Sequence, residues 1–442
     1  MSVQSDRVPE VYDKVITAEY KALLQKALLK ECKRILQEVP PEREYHYWDV
    51  YVGFMIGPKT ALKIAEEYID SALASYHATN PSLPADPSLP AHIENECGFL
   101  CTAVGLHAVV ARVKYHVGDY ETSNHSLHLL RTHFAHSAFA PRTPSELLYG
   151  RAGLLYALNY TEPLFSSLSD NFTLPSNPVP SAESSHHSHR ILRNNDKHPT
   201  SEYSSSKIHQ IISSIFDATI ENGIRTASDA GLSAKTPLIW KWHETFYLGA
   251  AHGAAGILTV LLSFPDKVRE YRDIIKRAID FVLFETRGEN GNWMSSLDSG
   301  KTDLVQFCHG APGIVFLACK AYEVFKEARY LEIATEAAMF VHDYGILRKG
   351  VGLCHGISGN AYVFLILFKI TNERKYLEWT VEFMDACLQW EQLTEKRQFR
   401  VPDRPWSVWE GLGGAVWLLT DVLFWENEIF KGFPGLSDIQ ST

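Results

Sequence analysis

The tripeptide Cys-His-Gly occurs twice in this 442-residue chain, at residues 308–310 and at residues 354–356. The two cysteines are 354 − 308 = 46 residues apart, and the flanking segments 306–316 (QFCHGAPGIVF) and 352–362 (GLCHGISGNAY) match at the same offset. Equivalent positions in adjacent repeats of a solenoid or barrel lie side by side. The spacing therefore predicts two thiols and an imidazole at one place. Cysteine sulfur and histidine nitrogen are the ligands that zinc prefers.

Such a site would suit thiol chemistry. Two cysteines and one histidine leave the fourth tetrahedral position open, which is typical of catalytic zinc. Free cysteine thiols have a pKa near ~8.5 and are mostly protonated at neutral pH. A thiol that occupied the open position would be deprotonated by the metal, and two negatively charged cysteine ligands would keep its sulfur electron-rich for attack on a soft electrophile.

The cysteines belong to a longer repeat, in which a Gly-x-x-Gly motif precedes an apolar run. Aligned on the second glycine, the copies fall at residues 57, 105, 153, 256, 313, 359 and 414, and the first two copies keep only that glycine. The segment after each glycine is apolar on nearly all sides, which indicates a buried helix. The next segment, such as 329–342, is amphipathic. The alternation predicts an all-α toroid, a double-layered α/α barrel of seven helical hairpins with the N-termini of its inner helices at one end.

The same register places other polar residues at that end of the barrel. His252 precedes Gly253 and Glu410 precedes Gly411, in the positions that His309 and His355 hold before their own glycines. A single residue of this kind is more often a helix cap or a buried histidine with a hydrogen-bond partner. Two cysteines and a histidine in repeat register favour the metal site instead.

Composition limits the alternatives. The net charge of −10 argues against nucleic acid and against an anionic membrane surface. The longest apolar run, residues 249–264, is shorter than the ~20 residues of a spanning helix, so no transmembrane segment is expected. Seven cysteines without a disulfide-scaffold spacing, and an N-terminus without an apolar signal core, favour the cytosol. The chain is expected to form one domain over residues 1–442, with a disordered insertion at 166–207 that is rich in Ser, Asn, Pro and His.

At these residues the chain resembles the lanthionine cyclase C-like (LanC-like) family, and its eukaryotic members in particular. The matching segments are 247–256 (YLGAAHGAAG), 307–313 (FCHGAPG), 352–362 and 409–414 (WEGLGG). The resemblance extends from about residue 45 to residue 424, and the paired Cys-His-Gly motifs make it specific.

The resemblance implies zinc held by Cys308, Cys354 and His355 in a seven-repeat toroid. It also implies that glutathione binds as the thiol and is added to dehydroalanine or dehydrobutyrine residues of a peptide or protein, which forms a thioether. Lys349 and Arg400 match family positions that contact glutathione, and two cations suit a ligand with two carboxylates.

The proton donor of this reaction stays open between two histidines. His252 matches a family histidine that handles protons, and His309 lies beside the metal ligands in the sequence. Either side chain would protonate the α-carbon after the thiolate attacks the β-carbon.

Two other functions are compatible with the same sequence features. Protein prenyltransferase β-subunits also use an α/α barrel and zinc to activate a thiol, but they need an aspartate ligand that the Cys-Cys-His set does not supply. A non-catalytic scaffold or sensor that binds zinc and glutathione would share the metal site and lack turnover. Cys97 and Cys101, four residues apart, could suggest a second metal, but no partner ligands are evident and core cysteines are favoured.

Overall fold

The computed structural model describes residues 12, 14–40, 58–79, 96–140, 142–168, 205–425 and 432–438. The regular secondary structure of these residues is helical, and the loops between the helices contain only isolated β-bridges. In chain order the helices are α1 (Ala18–Glu38), α2 (Pro58–Thr79), α3 (Ala103–Val117), α4 (Tyr120–Leu129, continued by a π-helical turn at Leu130–Phe134 and a last turn at Ala135–Ser137), α5 (Arg151–Leu168), α6 (Ser205–Asp229), α7 (Ala254–Leu261), α8 (Pro265–Glu270), α9 (Arg272–Asp280, followed by a π-helical turn at Phe281–Glu285), α10 (Ala311–Phe325), α11 (Ala328–Tyr344), α12 (Ile357–Thr371), α13 (Arg374–Leu388), α14 (Trp390–Glu395) and α15 (Leu412–Leu423).

The inner layer consists of the helices that follow the glycine motifs. These helices are α3, α5, α7, α10, α12 and α15, and each packs against the next one in this series. Every residue of α7 is buried, as are the first twelve residues of α12, from Ile357 to Phe368. A helix that is apolar on all sides must be surrounded by protein, so the hydrophobic runs of the sequence form the interior of the ring.

The outer layer consists of amphipathic helices. Helices α4, α6, α11 and α13 pack on α3, α5, α10 and α12 respectively. Helix α13, for example, buries Tyr376, Leu377 and Phe383 and exposes Glu378. The expected two-layered all-α toroid is therefore confirmed in its architecture.

The first glycine copy departs from the expected pattern. The helix directly after Gly57 is α2, which is amphipathic and packs on α3. Its acidic face pairs with Lys114 of α3, whose ammonium lies 2.9 Å from Glu66 and 2.8 Å from Asp70. The described residues thus contain six inner helices, one after each of the other six glycine copies.

The expected insertion at residues 166–207 also lies mostly outside the described residues. Helix α5 continues to Leu168 and α6 begins at Ser205, so both ends of that segment are helical. The predicted disorder of residues 169–204 stays a prediction. No described helix combines the length and the hydrophobicity that crossing a membrane requires.

Residues 432–438 fill the middle of the ring. Phe433 is fully buried, and its ring centroid lies 4.5 Å from that of Phe307 and 4.7 Å from that of Phe316. The hydroxyl of Tyr156 on α5 donates a hydrogen bond to the carboxylate of Asp438. This segment therefore packs directly against the residue that precedes Cys308 and joins several inner helices.

Candidate metal centre and active site

The loops that precede the inner helices, called the leading loops here, lie side by side. Backbone hydrogen bonds join each loop to its neighbour, so equivalent positions of successive repeats come together as the repeat argument predicts. The N–H groups of Leu147, Ala250, Cys308 and Cys354 donate to the carbonyls of Ala251, Phe307, Cys354 and Trp409 at 3.3, 3.4, 3.3 and 2.8 Å.

Glycines allow this close approach. A Cβ atom on Gly249 would lie 2.0 Å from the carbonyl oxygen of Cys308, so only glycine lets the two loops touch there. Gly310 has a φ of 96°, in the region that favours glycine. It follows a tight turn in which the backbones of Gln306 and His309 exchange hydrogen bonds of 3.1 and 3.0 Å. The turn fixes the direction in which Cys308 points.

Cys308, Cys354 and His355 form a cluster with the geometry of a metal site. Their ligand atoms, two sulfurs and one imidazole nitrogen, all lie within 4.8 Å of one another. Among the described residues, no other group of three or more His, Cys, Asp or Glu side chains meets this condition. Two thiols and an imidazole fit zinc, and three ligands leave a fourth tetrahedral position for a substrate.

The two thiols have opposite pKa shifts. The hydrogen bond from Cys354 lowers the pKa of the Cys308 thiol well below its usual value, and His355 and His309 lower it further, against the effect of burial. The same hydrogen bond, together with burial, raises the pKa of Cys354. One thiol of the pair is thus ready to lose its proton, which is the state that a metal ligand needs.

A second polar contact reaches the Cys308 sulfur. The side-chain amide of Gln306 donates from Nε2 to Cys308 Sγ at 3.1 Å and accepts at Oε1 from Lys349 Nζ at 3.0 Å. Gln306 is only 5% exposed, so its amide has little access to water. Lys349 is thereby connected to the Cys308 sulfur through the Gln306 amide.

His252 lies across the same end of the ring and is paired with a buried carboxylate. Its Nδ1 is 2.9 Å from Glu146 Oε2. Glu146 is 1% exposed, and its two oxygens also accept the backbone N–H groups of Leu148 at 2.8 Å and Tyr149 at 2.6 Å. The carboxylate thus accepts three N–H groups, and it orients the imidazole with Nδ1–H toward Glu146.

Aromatic rings hold the His252 imidazole in its plane. Trp242 stacks on it at a centroid distance of 3.7 Å and an angle of 2°. Trp242 begins a tight turn in which His243 and Glu244 have φ values of 45° and 63°. Non-glycine residues rarely adopt such angles, and strain of this kind gathers at functional sites. The turn therefore positions Trp242 for the stack.

His309 and His252 face a common aromatic residue. The ring of Tyr247 lies 6.0 Å from His252 and 5.6 Å from His309. Burial lowers the pKa of His309, and its Nδ1 has no hydrogen-bond partner among the described residues. His309 lacks the carboxylate partner that His252 has, and a neutral imidazole is a weaker candidate for the proton donor.

Arg400 lies on the loop beside Lys349. The Arg400 N–H donates to the carbonyl of Arg348 at 2.7 Å, so the two loops are paired through their backbones. Both Arg400 and Lys349 are exposed. The structure thus brings the two cations implied to bind glutathione to neighbouring loops on the rim of the metal cluster.

Three residues of this site were not identified from the sequence. They are Glu146, Gln306 and Trp242. For two of them a signal exists, since Glu146 and Gln306 both stand four residues before the first glycine of their motif, at 150 − 146 = 4 and 310 − 306 = 4. Ser407 holds the same place before Gly411, and its hydroxyl accepts the N–H of Glu410 at 3.0 Å. Extending the register by four positions would have found them.

Cys97 and Cys101 form no second metal site among the described residues. Cys97 is fully buried, and burial raises its pKa to about 12. Cys101 is half-buried and hydrogen-bonds to Tyr149. The expectation that these cysteines belong to the core holds for Cys97, whereas Cys101 lies at the edge of the aromatic group around His252.

The fold and the cluster together define a two-layered helical toroid with a Cys-Cys-His site at one end. A family model described as "Lanthionine synthetase C-like protein" matches residues 190–434. A Danio rerio protein named "Glutathione S-transferase LANCL1" is 30% identical over 328 residues, which cover 74% of this chain and 71% of that protein. The chain therefore belongs to the lanthionine synthetase C-like family.

A solved structure supports the same fold. Nisin cyclase superposes with a TM-score of 0.55 over 94% of this chain and 100% of its own, at 13% sequence identity. At that level of identity the similarity concerns the arrangement of helices alone.

Proposed function

We propose that this protein binds zinc through Cys308, Cys354 and His355 and adds glutathione to dehydroalanine or dehydrobutyrine residues of peptides or proteins. Membership of the lanthionine synthetase C-like family supports carbon–sulfur bond formation. The name of the Danio rerio relative supports glutathione as the thiol. The observation that carries the proposal is the Cys-Cys-His cluster at the same end of the ring as His252, which is paired with the buried Glu146.

Each part of the reaction has a residue that suits it. When bound, zinc would supply a Lewis acid that keeps the glutathione sulfur deprotonated at neutral pH. Lys349 and Arg400, on paired loops at the rim, would bind the two carboxylates of glutathione. The half-buried rings of Trp242 and Tyr247, which lie against His252, would limit the access of water to the reacting atoms.

The chemical step is a conjugate addition. The glutathione sulfur forms a bond to the β-carbon of the dehydroamino acid, and the electron pair of the C=C bond moves toward the α-carbon and its carbonyl. His252 donates a proton from Nε2 to the α-carbon, and Glu146 stabilises the imidazolium that holds this proton beforehand. The thiol proton returns to the imidazole through solvent, so the addition consumes neither protons nor electrons overall.

Mass spectrometry tests this proposal. The protein is incubated with glutathione and a dehydroalanine peptide, and the peptide should gain the mass of one glutathione. His252→Ala should keep zinc and glutathione and slow this addition by about 10²–10⁴-fold, the usual contribution of a general acid. His309→Ala is the matched control, since that imidazole has no carboxylate partner, and its turnover should fall much less.

Two outcomes would contradict the proposal. If the unmutated protein carries zinc and glutathione but modifies none of a varied set of dehydroamino acid peptides, the non-catalytic scaffold becomes the better description. If His309→Ala loses turnover and His252→Ala does not, the roles of the two histidines are reversed. The prenyltransferase alternative gains no support from the cluster, which contains no aspartate among the described residues.

A further inference from the structure

Gln306 connects Lys349 to the Cys308 sulfur, and the direction of its amide is determined by chemistry. An ammonium has only donors, so the amide atom 3.0 Å from Lys349 Nζ must be the oxygen. The nitrogen of the same amide then faces Cys308 Sγ at 3.1 Å. The lysine thus forces an N–H donor onto the sulfur, where a freely rotating amide could present either end.

The backbone holds this arrangement in place. Gln306 and His309 exchange two backbone hydrogen bonds, of 3.1 and 3.0 Å, around the turn that carries Cys308. Gln306 is 5% exposed and Cys308 is 7% exposed. In so dry a place an N–H donor on sulfur is electrostatically stronger than it would be in water.

We propose that Gln306 is a positioning residue which, oriented by Lys349, holds its amide N–H on the Cys308 sulfur and stabilises that sulfur as a thiolate ligand. The inference rests on the metal centre of the proposed function and adds a role to two residues outside the ligand set. Residues that hydrogen-bond to metal ligands generally contribute to metal affinity in this way.

The contacts from Lys349 through Gln306 to the Cys308 sulfur, called the relay here, also link glutathione binding by Lys349 to the metal cluster. The Lys349 ammonium has three donors, of which Gln306 uses one. A glutathione carboxylate can take another without releasing the amide. Binding of the thiol substrate would then fix Lys349, and with it the N–H donor on Cys308, at the time when the sulfur chemistry takes place.

Zinc competition with a chromophoric chelator tests the relay without measuring turnover. Gln306→Leu removes the donor and should weaken zinc binding by about tenfold or more, the usual effect of losing such a partner. Lys349→Met should weaken it by a smaller factor, because the amide can then rotate. Lys349→Arg keeps a cationic donor for Oε1 and should restore the unmutated affinity. Arg348→Met is the matched control, since its guanidinium donates to the carbonyls of Gln398 and Arg397 instead.

The double variant separates a relay from a direct effect of charge. If Lys349 acts through Gln306, Gln306→Leu/Lys349→Met should bind zinc no more weakly than Gln306→Leu alone. Additive losses in the double variant would show that Lys349 acts on the cluster directly, and they would overturn the relay.

Cobalt substitution provides a spectroscopic measurement that loss of packing alone would not reproduce. A hydrogen bond lowers the energy of the sulfur lone pairs, so Gln306→Leu should shift the sulfur-to-cobalt charge-transfer band to longer wavelength. An unshifted band, with zinc affinity equal to that of the unmutated protein, would refute the role of Gln306. Should the unmutated protein bind neither metal, the proposed metal centre fails as a whole, which distinguishes the two failures.

Discussion

Replacing Glu146 by glutamine should slow the reaction while leaving the metal cluster intact. The carboxylate accepts three N–H groups, from Leu148, from Tyr149 and from Nδ1 of His252. Glutamine has a single oxygen, so its NH₂ group must face at least one of these donors. Because residue 146 is 1% exposed, water cannot relieve the conflict.

The expected magnitude follows from the lost contact. A hydrogen bond to a charged group contributes about 1.5–3 kcal/mol, and about 1.4 kcal/mol corresponds to a tenfold change in rate. If the amide turns its NH₂ toward Nδ1, the neutral imidazole carries its proton on Nε2 and the imidazolium loses its counter-charge. The kcat for glutathione addition should therefore fall about ten- to a hundredfold, with zinc content unchanged.

The assay compares kcat on a dehydroalanine peptide, zinc content and melting temperature for Glu146→Gln, His252→Ala and the double variant. Adding Glu146→Gln to His252→Ala should cause no further loss, since the carboxylate acts through the imidazole. Asp217→Asn is the control, because this carboxylate pairs with Lys267 and Tyr271 and not with His252. Unchanged kcat in Glu146→Gln, or equal losses in both backgrounds, would refute the reasoning.

Four further outcomes are expected. Metal analysis should find one zinc per chain, and Cys354→Ala should lose most of it. In zinc-saturated protein, Lys349→Ala and Arg400→Ala should each weaken glutathione binding about ten- to a hundredfold by calorimetry, since each removes a charge-assisted contact. Burial raises the pKa of Asp438 to about 7, so between about pH 4 and pH 7 the folded protein holds a proton that the unfolded chain releases. The free energy of unfolding should therefore fall as the pH rises through this range, and Asp438→Asn should reduce that fall. Replacing residues 169–204 with a short Gly/Ser linker should leave the melting temperature nearly unchanged, because their composition buries little apolar surface, and a large decrease would show that they pack on the toroid.

The first glycine copy and the C-terminal segment, residues 432–438, are the two parts of the fold that the repeat pattern does not predict. The glycine register locates the inner helices α3, α5, α7, α10, α12 and α15 because each copy is followed by a run that is apolar on all sides. The copy at Gly57 keeps the glycine but is not followed by such a run, and the helix after it is amphipathic. At this copy the hydrophobic pattern predicts the kind of helix better than the glycine does. The burial of Phe433 among Phe307 and Phe316 has no periodic signal, since residues 432–438 lie beyond the last repeat.

The amino-acid sequence by itself determined the repeat, the two layers of helices and the set of metal-ligand candidates. It could do so because a repeat places equivalent residues side by side, so the register of Cys308 and Cys354 already implies that they are close. Only the tertiary structure decided which partners these residues have. Glu146 and His252 are 106 residues apart, and Lys349 and Gln306 are 43 residues apart. Such contacts depend on side-chain directions across neighbouring loops and on the burial of Glu146 and Gln306. The spacing of residues along the chain specifies neither.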